Sequence, residues 1–236
     1  MDRKYANYLL KKTRRDYNRI APLFTTKRER LTPDILYLKK YAQNSDKILD
    51  LGCGDGRLWQ IFADKKIEYV GTDNSKKEIE IAKSRFPNAR FIKSDSFLVP
   101  FGNNDFDKVF CLSVIHHLPS VTYRLKFLKE IKRVLKPKGK LILTAWSVWQ
   151  NPKIKRLIRK YTIKRMFGLS KMDYGDILVP FKNEYGELLA NRYIHCFKKD
   201  ELRDLVKKAG FKILTTKVLK RDRGGQNKNI LIVAKK

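Results

Sequence analysis

Residues 48–57 read ILDLGCGDGR. An apolar, β-prone run enters the pattern D-x-G-x-G-x-G, built from Asp50, Gly52, Gly54 and Gly56. Glycine lacks a Cβ, so such a turn bends sharply and lets the backbone come close to a ligand. The pattern differs from G-x-G-x-x-G, where a helix N-terminus holds a pyrophosphate. Here a carboxylate stands at the strand end, just before the turn. That placement suits a ligand with a positive ammonium, such as the amino-acid end of S-adenosylmethionine.

Two more carboxylates follow in the same setting. Asp73 ends a second β-prone run in EYVGTDNS, residues 68–75. A carboxylate there can accept from both hydroxyls of a ribose. Asp95 ends a third run in FIKSDSF, residues 91–97, where a polar side chain and a backbone N–H can hold the edge of an adenine. Taken singly, a glycine-rich turn is often only a turn, and an aspartate after a strand is often a helix cap. Three such features at consecutive strand ends point to a nucleoside-bearing ligand.

The surrounding rhythm predicts the fold class. Strands are expected over residues 48–51, 68–72, 90–92, 108–113 and 140–146. Helices are expected through Leu58, Ile61 and Phe62, after Ser75, and over 121–135 before Pro137 and Gly139. Ser75 with Glu78 forms a capping-box pattern. A helix over 199–209, ended by Gly210, and strands over 212–218 and 229–234 close the chain. Alternation of this kind gives a parallel sheet covered on both faces. The class is α/β, with a Rossmann-like, mostly parallel sheet.

The length of 236 residues suits a single domain spanning 1–236. Within it, residues 1–46 read as a basic, Tyr-rich helical extension. Tyr5, Tyr8 and Leu9, then Tyr17, Ile20 and Phe24, suggest short helices punctuated by Pro22 and Pro33. Residues 151–191 interrupt the alternation as a basic insertion on the acceptor side of the cleft. Of these, 172–191 read as a loop.

Composition narrows the partners. Lys and Arg total 54 against 24 Asp and Glu, a net charge of +30. Such a field attracts polyanions, nucleic acid first and anionic membrane second. A lysine-heavy composition gives the same number without a partner. Hydrophobic residues make up 42% of the chain, which excludes a disordered polymer. The mean hydropathy is −0.50, and the apolar runs are too short to cross a bilayer. Residues 1–12, MDRKYANYLLKK, lack a signal core. The expectation is a cytoplasmic protein with no stable membrane insertion. Cys53, Cys111 and Cys196 are isolated, so neither disulfides nor a metal site is expected.

From residue 47 onward the chain resembles the class I S-adenosylmethionine-dependent methyltransferases. The resemblance implies a seven-stranded sheet whose last strand pair is antiparallel, with S-adenosylmethionine as cofactor. It implies Asp50, Gly52, Cys53, Gly54 and Gly56 around the methionine moiety, and Asp73 on the ribose. It places Asp95 and Ser96 near the adenine, Asn74 and Phe97 beside the adenosine, and Leu112 and Ser113 at the fourth strand end.

A finer resemblance rests on DYNRIAPLFTTKR (16–28), SVIHHL (113–118), EIKRVL (130–135), LILTAWSVWQ (141–150), VPF (179–181) and RYIHCF (192–197). In this order the blocks look like the tRNA wobble-uridine carboxymethyl methyltransferases. That family methylates the carboxylate of 5-carboxymethyluridine in the anticodon loop. The resemblance implies tRNA as partner, and a small activator protein as in eukaryotic members. The sequence departs from the pattern at Tyr123–Arg124, Lys138 and Trp149. The alternative is a small-molecule or lipid methyltransferase of the same fold.

A carboxylate acceptor is ionised near neutral pH, so its methylation needs no general base. Positioning carries the reaction. Arg124 and Arg192 are candidates to hold the acceptor carboxylate bidentately. Tyr193 and His195 are candidates to position it. His117, Trp146 and Gln150 are candidates to line the base pocket, where an aromatic ring can stack on a base. Of the adjacent His116 and His117, one is expected to face the cleft and the other to be structural. Residues 153–171 hold eight basic and no acidic residues. They read as an RNA clamp, a membrane-surface helix, or a solvated face.

Overall fold

The computed structural model describes residues 1–26, 30–221 and 228–236. Seven strands form one sheet in the order β3-β2-β1-β4-β5-β9-β8. They are β1 (Lys47–Leu51), β2 (Glu68–Asp73), β3 (Arg90–Lys93), β4 (Phe106–Leu112), β5 (Leu135–Ser147), β8 (Lys212–Lys220) and β9 (Lys228–Lys235). β1 pairs in parallel with β2 and with β4, placing Asp50 opposite Gly71 and Phe110. β9 runs antiparallel to both β5 and β8. This is the expected Rossmann-like sheet. Its strand order reverses between β1 and β4, the place where open α/β sheets leave a crevice.

The central strands are buried on both faces, so they read as continuous apolar runs. On one face Phe127, Leu128 and Ile131 of α4 (Ser120–Val134) and Leu202 and Val206 of α6 (Lys199–Lys208) pack on β4, β5 and β9. On the other, Ile79 and Ala82 of α3 (Lys76–Arg85) and Ile35 of the short α2 (Pro33–Leu36) join Phe62 and Phe110. Ser75 caps α3 by accepting from the Glu78 N–H at 3.2 Å. Each fully buried Leu, Ile or Phe contributes about 1.5–3 kcal/mol.

Three expectations are corrected. The N-terminal segment is not a set of short helices: α1 (Arg3–Thr26) is continuous through Pro22. Proline removes one donor there, but Leu9, Ile20 and Ala21 are buried and α1 packs on α3 and β7, so tertiary contact outweighs the local break. Lys27 and Arg28 lie outside the described residues. The segment 172–191 is not a loop: β6 (Asp176–Lys182) and β7 (Leu188–His195) form an antiparallel pair apart from the main sheet. Pro180 and the polar turn at 183–187 hid that pair. The run through Leu58, Ile61 and Phe62 is not an α-helix. Residues Arg57–Ile61 form a single 3-10 turn. Between β5 and β6 lies α5 (Pro152–Met166), capped by Asn151.

Candidate active site

A cleft of about 320 Å³ opens at the carboxyl ends of the parallel strands, within the usual range for small-molecule sites. One part of its wall comes from β1, β2 and the start of α3. Asp50, Asp73 and Glu78 line it, each nearly buried or half-buried. Asp73 accepts from the Gly54 N–H at 3.0 Å and from the Ser75 N–H at 2.9 Å. Burial raises the Asp73 pKa, and the Ser75, Gly54 and Asn74 N–H groups oppose that rise. Asp50 accepts from the Tyr69 hydroxyl at 2.7 Å. Burial pushes its carboxyl up to about 7; the Tyr69 bond opposes this, and Asp73 adds to it.

The glycine turn is required by geometry. Gly52 has φ +80°, and a Cβ there would stand 2.3 Å from Val114. Gly52, Cys53 and Gly54 line the cleft together with Asn74, Leu112 and Ser113. Gly56 does not. A Cβ at Gly56 would strike the Phe91 ring at 2.7 Å, so this glycine permits packing under the turn.

The third strand end is corrected in detail. Asp95 is exposed and accepts from the Phe97 N–H at 2.8 Å, and neither residue lines the cleft. Phe97 packs on Tyr123, with ring centres 5.3 Å apart. Ser96 lines the cleft as expected, with Ser94 beside it.

The opposite wall is cationic and aromatic. Trp146 sits on β5, two strands across the sheet from β1 and four residues further along than Ile142, which is level with Asp50. Arg192 of β7 and Arg221, just past β8, both line the cleft against it. Their guanidinium carbons lie 5.5 and 5.7 Å from the Trp146 ring centre. Phe24 and Phe181 enclose Arg192 at 5.7 and 5.2 Å. Arg192 is 8% exposed, and its buried Nε has no hydrogen-bond partner among the described residues. His117 lines the same region. Its Nδ1 faces the Tyr193 carbonyl at 2.9 Å, which places the proton on Nδ1, so the Tyr17 hydroxyl donates to Nε2 at 2.8 Å. His116 lies behind the wall. Burial first, then His117, Arg221 and Arg192, hold its pKa well below the ordinary value.

Four expected acceptor residues lie elsewhere. Arg124 is 1% exposed under the sheet, donating from Nε to the Leu118 carbonyl at 2.9 Å and facing Asp176 and the Tyr193 hydroxyl. Tyr193 is fully buried in that network. His195 is held between Asp176 at 2.7 Å and Glu201 at 2.6 Å. On β7 side chains alternate between faces, so Arg192 and Tyr193 point to opposite sides. Gln150 accepts from Lys228 at 3.2 Å on the surface.

Sequence reasoning missed Thr13, Tyr17 and Phe24 as one cleft-facing stripe of α1, along with Leu10. Their separations of three, four and seven are helical spacings and were readable once α1 is continuous. It also missed Arg221. The signal was its place at the carboxyl end of β8, which runs parallel to β5.

The donor set fits S-adenosylmethionine. That molecule presents an ammonium and two ribose hydroxyls, all donors, and the β1–β2 wall presents carboxylates. The Thr72 hydroxyl, fully buried in the same wall, also has no partner. A methyltransferase domain model matches residues 49–143, which carry this wall. Residues 49–143 form a methyltransferase domain, in a fold shared with S-adenosylmethionine-dependent methyltransferases. A SAM-dependent methyltransferase of Methanosarcina mazei is 25% identical and superposes with a TM-score of 0.71, over 85% of this chain and 96% of that one. The tRNA (carboxymethyluridine(34)-5-O)-methyltransferase of Schizosaccharomyces pombe is 28% identical over 84% of this chain and 87% of its own. The mouse probable tRNA methyltransferase 9B is 28% identical over 57% of this chain, which covers only 29% of that longer relative. The methyltransferase structure solved with the Haloferax volcanii Trm112 activator shares the fold at a TM-score of 0.56 and 14% identity, over 97% of this chain and 93% of its own. Among the described residues, no helix of this methyltransferase is long and apolar enough to cross a membrane.

Proposed function

We propose that this protein methylates the carboxylate of a 5-carboxymethyluridine at the wobble position of tRNA, using S-adenosylmethionine. The observation that carries the reading is Arg192: a buried guanidinium that lines the cleft, enclosed by three aromatic rings, whose Nε has no hydrogen-bond partner among the described residues. A planar fork of this kind matches a carboxylate. The full-length likeness to the Schizosaccharomyces pombe enzyme supports the nucleoside.

The cofactor, when bound, supplies an electrophilic methyl on a sulfonium. An acceptor carboxylate oxygen forms the O–CH3 bond as the S–CH3 bond breaks, leaving a methyl ester and a neutral thioether. No proton moves. Among the residues lining the cleft, Asp73 would hold the ribose, Asp50 would face the ammonium, and the cation of Arg57 would balance the cofactor carboxylate. Ser94 and Ser96 would hold the adenine edge. Arg192 and Arg221 hold the acceptor carboxylate, and Trp146 stacks the uracil. The chain 1–236 works as one catalytic domain, in which residues 1–46 and the 151–191 insertion add Tyr17, Phe24 and Phe181 to an acceptor wall completed by Trp146, Arg192 and Arg221. A tRNA substrate places the protein in the cytoplasm. A small activator protein belongs to the same reading, supported by the fold shared with the Haloferax volcanii complex.

The test is methyl transfer from labelled S-adenosylmethionine into bulk tRNA, followed by digestion and mass identification of the labelled nucleoside. An alkali-labile uridine ester is expected. Silent tRNA with label in a lipid and metabolite extract would overturn the substrate and favour a small-molecule acceptor.

A further inference from the structure

α5 spends its apolar residues inside the protein. Ile154, Leu157, Ile158 and Tyr161 recur at spacings of three and four and pack with Ile177, Ile194 and Cys196 of the β6–β7 region. Its remaining surface carries Lys153, Lys155, Arg156, Arg159, Lys160, Lys164 and Arg165, all exposed. At about 100° per residue, Arg156 and Arg159 fall opposite the packed stripe, Lys155 and Lys160 beside them, and Lys153 and Lys164 on the flank of the stripe. Among the described residues, none of these seven makes an ion pair, whereas Lys47, Arg133 and Lys136 do.

The helix opens directly after the end of β5, which brings Trp146 to the cleft. Fifteen residues extend about 22 Å. The cations therefore run as a track from the cleft mouth. Arg156, Lys160 and Lys164 step by four residues, about 6 Å apart along the axis.

Two polyanionic surfaces attract such a helix, and the packing discriminates between them. A membrane-surface helix must sink an apolar face into the lipid boundary. Here that face is occupied by β6 and β7 over the first three turns, and the bare apolar residues Ile163, Met166, Phe167 and Leu169 are confined to the far tip, too short a patch to lay the helix on lipid. An RNA backbone needs only the unpaired cations. We propose that α5 is a phosphate-binding track for the RNA stem whose loop enters the cleft. The identity of the polyanion as tRNA rests on the function proposed above.

The test compares the full-length protein with R156Q/R159Q/K160Q/K164Q. Bulk tRNA binding is measured from 50 to 250 mM KCl, with cofactor calorimetry and a thermal melt to confirm the fold. The variant is expected to bind tRNA about tenfold or more weakly at 100 mM salt. Its log–log salt slope is expected to be shallower by roughly 3, at about 0.7–0.9 for each of the four lost phosphate contacts. Unchanged affinity and slope would overturn the track, as would absence of tRNA binding by the wild type. So would a variant that loses phosphatidylserine-vesicle binding while tRNA binding stays intact. Binding is read without turnover. A wild type that binds tRNA through α5 but esterifies none would sink the function alone. Esterified tRNA with an unaffected α5 variant would sink this inference alone.

Discussion

The Arg192 guanidinium carbon lies 5.5 Å from the centre of the Trp146 indole, and its buried Nε has no hydrogen-bond partner among the described residues. The rings of Trp146, Phe24 and Phe181 pack around the cation and shield it from water, so the acceptor meets a preorganised donor. Losing one charge-assisted hydrogen-bond partner costs about 1.5–3 kcal/mol. Arg192→Ala is therefore expected to lower kcat/KM for tRNA by about 10- to 150-fold. Arg192→Lys keeps the charge but not the fork and is expected to recover only part of it. Cofactor affinity, read by calorimetry, stays at the wild-type value. A matching loss of cofactor affinity would make Arg192 structural.

Arg221 supplies a second test at the same ring. It reaches Trp146 from the end of β8, on a different element from Arg192. Because two guanidiniums share one carboxylate, their effects should not add. Arg221→Ala is expected to cost about tenfold in kcat/KM, and the double variant less than the product of the singles. A strictly multiplicative double variant would show that the two arginines serve separate ligands.

The sequence made the cofactor side legible and the acceptor side only partly so, for a physical reason. Asp50, Gly52 and Asp73 are local features: each is a strand end or turn that the few residues around it make legible. The acceptor wall is assembled from α1, β5, β7 and the end of β8, which lie far apart in sequence. Arg192 and Tyr193 are neighbours in the chain, but the pleat sends one to the cleft and the other under the sheet. Without knowing that 188–195 is a strand, the two cannot be separated. Arg124 failed for the same reason, since its role depends on Asp176 across the fold.

That buried pair predicts stability rather than turnover. Arg124 and Asp176 are both almost completely enclosed, and Asp176 also holds His195. Removing one partner of a buried ion pair costs about 3–5 kcal/mol, because the other charge is left uncompensated. Arg124→Ala is expected to lower Tm by about 6–20 °C, at 2–4 °C per kcal/mol for a chain of this size. Well below its Tm, the variant keeps wild-type cofactor affinity. A wild-type Tm with lost methyl transfer would return Arg124 to the acceptor site.

Asp50 predicts a proton linked to cofactor binding. Burial raises its carboxyl to about 7 in the folded protein, against an unfolded value of roughly 3.9. The folded state therefore holds the extra proton between those values. The stability this group contributes is complete below about pH 4, falls as pH rises toward 7, and is flat above. Cofactor binding has the opposite sign, because a nearby ammonium favours the carboxylate. Below pH 7 the cofactor must expel the proton, so its affinity rises with pH between 6 and 7. Calorimetry at pH 6 in buffers of different ionisation enthalpy is expected to report release of close to one proton per site. Asp50→Asn should abolish that release and flatten the pH 6–7 limb. Equal proton release by wild type and variant would place the titrating group elsewhere in the cleft and remove Asp50 from the ammonium.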